Sequence, residues 1–477
     1  MSSPTTLAAL PAALGRPHFI GVGGSGMSAI AKLLVGRGAR VSGSDAYDSA
    51  TLPALRALGA GVSAGHGADR LPSDASCVVV SSAIAPDNPE LVRAGDLGVP
   101  VLHRSQALAA LIAGSRTVAV AGTHGKTTTS SMLAVALTAM GADPSYAIGA
   151  DLDAPCSNAR RGDSDLFVVE ADESDRSFHA YRPEVAVVLN VEFEHHANYA
   201  SLEAVHESFE TFVAGVEPGG TLIVSADDPG ARELTRRLGA HRPARVVTYG
   251  EAEDADVRIR SIARRGGLSQ VRVTLGPRTL LFTVPVPGRH YAHNAVAALA
   301  AGHALGLDVV RLADALGSYT GARRRLEPKG TAAGVTVVDT YAHHPTEMRA
   351  DLEALREMYG ERRLLVVYQP HLFSRTRHLG AAMGRALALA DASLVLDVYP
   401  AREEPLPGVT SALVVDAAVE AGAHVRAVHD MAAAPGLLAG AARPGDVLVT
   451  MGGGDVTLLG PLILDELRGT ASPAGTG

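Results

Sequence analysis

The sequence predicts an α/β protein of three domains with largely parallel sheets. Three observations carry that reading. Short apolar runs alternate with Ala-rich helical stretches almost throughout, the pattern of strands joined by crossover helices. Two glycine-rich turns, Gly21 to Gly26 and Gly122 to Gly125, each follow an apolar run and open a helical stretch. At 477 residues the chain exceeds what one hydrophobic core supports, and length alone suggests about three domains.

In chain order, the first domain (1–114) opens with a strand at 17–22 and continues with strands at 39–42, 77–81 and 99–102. The second (115–323) begins with the strand starting at Arg116, the glycine loop at 121–129 and a helix at 130–140. Its further strands fall at 165–170, 184–190 and 221–225. Between 246 and 286 the period changes to alternation, as in Val257 and Ile259 and then Val271, Val273 and Leu275, with Gly266-Gly267 between. That predicts an antiparallel hairpin or meander, which makes the second sheet mixed. A helix at 294–305 follows. The third domain (324–477) carries strands at 335–339, 364–369, 393–398 and 446–451, and the tail from Gly469 reads as disordered.

Composition excludes several classes. A net charge of −8 argues against a nucleic-acid binder, whose footprint is basic. Two cysteines, Cys77 and Cys156, make no disulfide framework, and Cys77 lies in an apolar run as a small hydrophobe. No segment approaches the ~20 apolar residues that span a bilayer, and no basic flank with an apolar core marks a leader. A cytoplasmic protein, with no membrane partner and as a monomer or homodimer, is the expectation.

The chemistry concentrates at strand ends. Gly21-Val22-Gly23-Gly24-Ser25-Gly26 fits Gly-x-Gly-x-x-Gly after the first strand, with Asp45 ending the second. Such a loop holds the pyrophosphate of a dinucleotide or of another nucleoside diphosphate. Ala121-Gly-Thr-His-Gly-Lys-Thr-Thr-Thr129 is a phosphate cradle. Its backbone N–H groups and helix N-terminus face an anion, Lys126 adds charge, and the Thr127 hydroxyl reaches Mg²⁺. Glu170 ends the next strand, where an acid holds Mg²⁺, and Asp172-Glu173-Ser174-Asp175 crowds that loop. Asn190 ends another, followed by Glu192, Glu194, His195 and His196, with His195 a ligand for a second metal. Arg323-Arg324-Arg325 is either a solvated patch or a set of cations for a transferred phosphoryl group. Asp339, His343, His344, Gln369, His371 and Arg375 repeat the strand-end pattern in the third domain. Both loops together fit a ligase that joins a nucleotide-linked acid to a second substrate with ATP. A nicotinamide dehydrogenase uses only the first loop, and a non-catalytic nucleotide binder retains the folds alone.

In order, Gly-Val-Gly-Gly-Ser-Gly-Met (21–27), Ser-Gly-Ser-Asp (42–45) and Ser-Ser-Ala-Ile (81–84) resemble the Mur ligases of cell-wall synthesis. So do Gly-Thr-His-Gly-Lys-Thr-Thr-Thr (122–129), Glu-Ala-Asp-Glu-Ser-Asp (170–175), Arg-Arg-Leu (324–326), His-His-Pro-Thr-Glu (343–347), Gln-Pro-His (369–371) and Met-Gly-Gly-Gly-Asp-Val (451–456). The resemblance covers nearly the whole chain. It implies a Rossmann-like N-terminal domain for a UDP sugar, a central P-loop-type ATPase and a Rossmann-like C-terminal domain that closes on the site. It implies ATP and Mg²⁺, with UDP-N-acetylmuramate and L-alanine as substrates joined through an acyl phosphate. A paralogue joining a different amino acid or peptide is the second expectation.

Carried over residue by residue, Gly21, Gly23, Gly24, Ser25, Gly26, Met27, Ser44, Asp45, Ser81 and Ser82 would hold the UDP sugar. Gly122, Thr123, His124, Gly125, Lys126, Thr127 and Thr128 would hold ATP, with Asn294 on adenine, Arg325 on phosphates and Asp339 on ribose. Thr127, Glu170 and His195 would hold metal, and His343, His371 and Arg375 would line the amino-acid and muramoyl end. The chain departs from the family pattern at Glu194, Asn198, Tyr291 and Thr340.

Overall fold

The computed structural model describes residues 11–152, 157–239, 243–265, 267–401 and 403–471, so Cys156 and Gly266 lie outside the described residues. The first sheet contains β1 (Pro17–Ile20), β2 (Ser42–Asp45), β3 (Gly61–Ala64), β4 (Cys77–Val80) and β5 (Val101–His103), all parallel in the order β3-β2-β1-β4-β5. Helices α1 (Ser25–Gly36), α2 (Thr51–Ala57), α3 (Pro89–Leu97) and α4 (Arg104–Ile112) connect it.

Among the described residues the central sheet has ten strands. They are β6 (Arg116–Ala121), β7 (Ser145–Ala147), β8 (Ala159–Arg160), β9 (Leu166–Glu170), β10 (Val185–Val188), β11 (Thr221–Ser225), β12 (Arg245–Gly250), β13 (Val257–Arg265), β14 (Leu268–Leu275) and β15 (Arg278–Val284). The order is β15-β14-β13-β12-β11-β10-β6-β9-β7-β8, with β13 to β15 an antiparallel meander, the edge strand β8 antiparallel to β7, and the strands between parallel. Helices α5 (Lys126–Ala139), α6 (Leu202–Ala214), α7 (Pro229–Arg237), α8 (Arg289–Ala304) and α9 (Val309–Leu316) pack on it.

The third sheet runs β16-β17-β21-β18-β19-β20, parallel except for the edge strand β16. Its strands are β16 (Glu327–Ala332), β17 (Val335–Thr340), β18 (Leu364–Gln369), β19 (Ala392–Leu396), β20 (Val425–Val428) and β21 (Val447–Gly452). Its helices are α10 (Pro345–Tyr359), α11 (Phe373–Leu387), α12 (Ala412–Glu420), α13 (Ala434–Ala441) and α14 (Leu459–Ala471).

Two expectations are corrected. Residues 39–41 are not a strand: they finish the α1 terminus, where the Ala39 N–H donates to Leu34 O at 3.0 Å, and β2 begins at Ser42. The residues from Gly469 to Ala471 continue α14 rather than start a disordered tail, and 472–477 lie outside the described residues.

Each sheet places a strand between neighbours that leave in opposite directions along the sheet: β1 between β2 and β4, β6 between β10 and β9, β21 between β17 and β18. At such switch points the loops beyond the carboxyl ends separate and leave a crevice. All three crevices open toward one another. Apolar burial runs across the boundaries: one cluster joins Phe19, Leu33 and Leu111 to Phe167, Val169 and Val188, and another joins Val118 and Leu133 to Met348 and Val366.

Candidate active site

A cleft of about 1120 Å³ lies among the three sheets, lined by Gly21, Gly23 to Met27, Lys126, Thr127, Glu170, His195, Arg325, His343, His371 and Arg375. Asp45, Ser81, Ser82, Thr123 and Gly125 also face it. Both anion loops thus meet in one space with polar groups of the third sheet.

The first loop is set by glycine. Gly21 has φ +79°, a left-handed conformation that side chains rarely adopt, and a Cβ on Gly23 would lie 2.8 Å from Asp45 Oδ2. The Gly23 N–H donates to that oxygen at 2.7 Å, so Asp45 braces the loop. The dinucleotide reading reserves this acceptor for a ribose hydroxyl. Ser44 corrects an expectation: it is 0 % exposed and does not line the cleft. Its hydroxyl donates to Glu90 at 2.8 Å, within a buried group that also holds His66 and His18, the latter at 2.6 Å. Burial acts to raise the Glu90 carboxyl, but His18, Ser44 and the Gly67 N–H outweigh it and hold it low.

In the second loop Gly122 and Gly125 have φ +140° and +82°. Asn190 brackets the turn, its Oδ1 accepting the His124 N–H at 2.7 Å and its Nδ2 donating to His124 O at 3.1 Å. Lys126 opens α5, and its ammonium lies 2.8 Å from Glu173 and donates to Gly122 O at 2.6 Å. Burial disfavours that charge, but Glu173 and Asp172 outweigh it and the pKa rises. Arg325 crosses from the start of the third domain to donate to Thr127 Oγ1 at 3.3 Å. Asn294 and Gly122 do not line the cleft, nor do His124 and Thr128. Asn294 backs the turn instead, since a Cβ on Gly125 would lie 2.8 Å from its Oδ1.

Thr127 and Glu170 fit a magnesium ion. Mg²⁺ takes oxygen donors, keeps several waters and binds through one or two carboxylates beside phosphates. Glu170 lines the cleft, accepts the Gly149 N–H at 2.7 Å and interacts with the Thr127 hydroxyl, while burial raises its carboxyl pKa. A desolvated carboxylate of that kind gains from a cation. His195, held at φ +54°, keeps its Nε2 3.0 Å from Glu173 and is a nitrogen donor, so Thr127 and Glu170 carry the fit.

The third domain closes the cleft with a buried ion pair. Arg375 Nε and Nη2 lie 2.8 and 2.7 Å from Glu194 Oε1, and the two residues are 5 % and 3 % exposed. Burial acts to raise the Glu194 carboxyl, but Arg375 and His195 outweigh it and hold it well below the usual range. His371 Nδ1 sits 2.9 Å from Arg375, and burial, then His343 and Arg375, push its imidazole down to about 3, so it is neutral. Asp339 is a second correction. It is 0 % exposed and accepts from Thr450 at 2.6 Å and Thr457 at 2.7 Å, with Arg324 Nε at 3.5 Å. The ribose contact expected there is not brought to the cleft, since Asp339 does not line it and its oxygens are taken by Thr450 and Thr457.

Family models match almost end to end. The Mur ligase family catalytic domain covers residues 16–116, the Mur ligase middle domain 120–302 and the Mur ligase glutamate ligase domain 324–454. The chain belongs to the Mur ligase family. It is 66 % identical to a UDP-N-acetylmuramate–L-alanine ligase of Streptomyces coelicolor, over 96 % of this chain and 99 % of that one. A Kineococcus radiotolerans protein of the same name is 53 % identical over 98 % and 99 % of the two chains. Among solved structures, the UDP-N-acetylmuramate–alanine ligase of Thermotoga maritima matches with a TM-score of 0.80 and 27 % identity, over 95 % and 99 %.

The departures of this Mur ligase are absorbed structurally. Glu194 reaches Arg375, and Asn198 donates to Ser174 O at 2.8 Å, tying its loop to the acidic one. Tyr291 is 2 % exposed in the central core and does not line the cleft. Thr340 donates to Asp351 beneath β17. Sequence reasoning missed Arg104, which lines the cleft and clasps Asp172 at 2.7 Å and Asp175 at 2.9 Å across the first boundary. Its signal was an arginine opening a helix directly after a strand end. It also missed Tyr341, whose ring lies beneath Arg324 at 4.7 Å and Arg325 at 5.4 Å.

Proposed function

We propose that this Mur ligase joins L-alanine to the lactoyl carboxylate of UDP-N-acetylmuramate with ATP. The observation that supports it most is the single cleft lined by both glycine loops and by His343, His371 and Arg375 of the third domain. The loop at Gly21 to Gly26, Asp45, Ser81 and Ser82 would hold the UDP pyrophosphate and sugar, and the loop at Thr123 to Thr127 the triphosphate. Residues 1–114, 115–323 and 324–477 would then be the sugar-nucleotide, ATP and closing domains of a cytoplasmic enzyme.

The carboxylate oxygen attacks the γ-phosphorus, the bond to ADP breaks, and an acyl phosphate forms. The alanine amine then attacks the acyl carbon, phosphate leaves and the nitrogen loses a proton. Two unit charges at ~4 Å repel by about 4 kcal/mol at an effective dielectric near 20, so the first step needs cations. Lys126 and Arg325 flank Thr127 and supply them. Magnesium on Thr127 and Glu170 would neutralise further phosphate charge when bound. Arg375, held by Glu194, would orient the carboxylate or the amino acid's own carboxylate, and neutral His371 is a proton acceptor of low basicity beside it. The third domain's contacts at Glu194 and Thr127 exclude water from the acyl phosphate.

The test is phosphate release with UDP-N-acetylmuramate, ATP, Mg²⁺ and L-alanine. Lys126→Ala is expected to abolish turnover while leaving UDP-sugar affinity within about 2-fold, since the first loop is a separate element. Most of the activity surviving in that variant refutes the assignment, and release indifferent to L-alanine but stimulated by another amino acid refutes the acceptor.

A further inference from the structure

His124 is the residue of the phosphate loop that turns away from the cleft. Its ring is 9 % exposed, and neither ring nitrogen makes a hydrogen bond among the described residues. Nε2 lies 3.6 Å from Glu192 Oε2, and the ring meets His344 of the third domain at a centroid distance of 4.4 Å, tilted by 37°. His344 Nδ1 lies 3.8 Å from the same Glu192 oxygen. One donor atom from each of the three residues falls within 4.8 Å of the others.

We propose that His124, Glu192 and His344 form a binding site for a divalent transition ion of the zinc class, bridging the phosphate loop and the third domain. A tetrahedral ion about 2.1 Å from each ligand holds its donors roughly 3.4 Å apart, close to the two separations above. Two imidazoles and one carboxylate select zinc, cobalt or nickel, whereas Mg²⁺ takes oxygen donors. The outer contacts suit a metal site as well. Glu347 Oε1 stands 3.3 Å from His124 Nδ1, without a hydrogen bond but near enough to receive that N–H once the ring is turned by ligation. The Thr346 hydroxyl donates to Glu192 Oε2 at 2.9 Å, steadying that ligand. His344 Nδ1 accepts the Thr346 N–H at 3.3 Å, a bond that ligation through that nitrogen would exchange. The site is distinct from the magnesium pair, since neither His124 nor His344 lines the cleft.

The experiment is calorimetric titration of the full chain with ZnCl₂ in excess MgCl₂, which occupies the oxygen sites. The wild type is expected to take up one zinc ion per chain, seen as a saturable heat at a molar ratio near one. Glu192→Gln, of similar size, and His344→Asn, which retains a helix-capping side chain, are each expected to lose that uptake while keeping a native circular-dichroism spectrum. Glu347→Gln is expected to weaken it by about 10- to 100-fold. Cobalt substitution adds a readout of geometry, a visible absorption band absent from both ligand variants. Zinc uptake unchanged in Glu192→Gln and His344→Asn, or none in the wild type, overturns the proposal.

Discussion

Replacing Glu194 by Gln tests how the third domain is held. The pair it forms with Arg375 spans 2.7 Å, and the gross attraction at that distance is about 6 kcal/mol at an effective dielectric near 20. Desolvation opposes much of this, and removing one partner of a buried pair costs about 3 to 5 kcal/mol because the other charge is left uncompensated. Glu194 follows a central strand and Arg375 sits on α11, so the loss falls on docking between domains rather than on either domain's folding. At ~1.4 kcal/mol per tenfold, even the lower figure shifts the closed-to-open ratio by about two decades. Small-angle scattering is expected to show a larger radius of gyration for Glu194→Gln at pH 7.5, and phosphate release a fall in kcat/KM approaching 100-fold. Combining Glu194→Gln with Arg375→Gln removes the stranded charge and is expected to recover part of the compaction, without recovering activity. A single variant as compact as the wild type, with kcat/KM within about 3-fold, refutes the reasoning.

Further outcomes follow from other contacts. Glu90→Gln is expected to destabilise the first domain by about 2 to 4 kcal/mol at pH 7, because a buried charge-assisted network with His18 and Ser44 is broken. The folded carboxyl is held low, so its contribution is present above the unfolded pKa near 4.3 and is lost as pH falls through the folded value. The melting temperatures of the two proteins should therefore converge in acid, and a gap that widens there contradicts the assignment. Gly149→Ala would put a Cβ 2.7 Å from both Glu170 oxygens, and the expected result is a several-fold higher Mg²⁺ requirement with UDP-sugar binding unchanged. An unaltered Mg²⁺ titration removes Glu170 from the metal site.

The bounds of β11 and β18 were legible because unbroken apolar runs bury both faces. The end of β2 at Asp45 was legible but its start was not, since Ser42-Gly43-Ser44-Asp45 carries no apolar residue. A Cβ on Gly43 would lie 2.7 Å from Phe19 O, so the neighbouring strand excludes the residues that a hydrophobic scan detects. The edge strand β16 contains Pro328 and Gly330, which read as a loop and are tolerated where one side of the ladder is free. In the site, the loop glycines were legible because Gly21, Gly122 and Gly125 take φ angles that favour glycine, while a Cβ on Gly23 would crowd Asp45. Orientation was not. Ser44 and Asp339 sit at strand ends as expected, but the sequence does not say whether a strand-end side chain faces the cleft or the sheet below. The Glu90 group joins residues separated by up to 72 positions, and local pattern carries no trace of such a partnership.

The clasp between Lys126 and Glu173 gives the phosphate loop the character of an ion exchanger. Glu173 also holds His195 at 3.0 Å, so one carboxylate serves both the ammonium and the imidazole. An incoming anion has to win Lys126 from a resident competitor already in contact with it. A triphosphate with its metal, touching the loop's amides at several points, would have the multiplicity to do so, while a lone phosphate or a carboxylate metabolite would not. On the proposed function, discrimination among abundant cellular anions would then follow from a threshold of charge in the cradle.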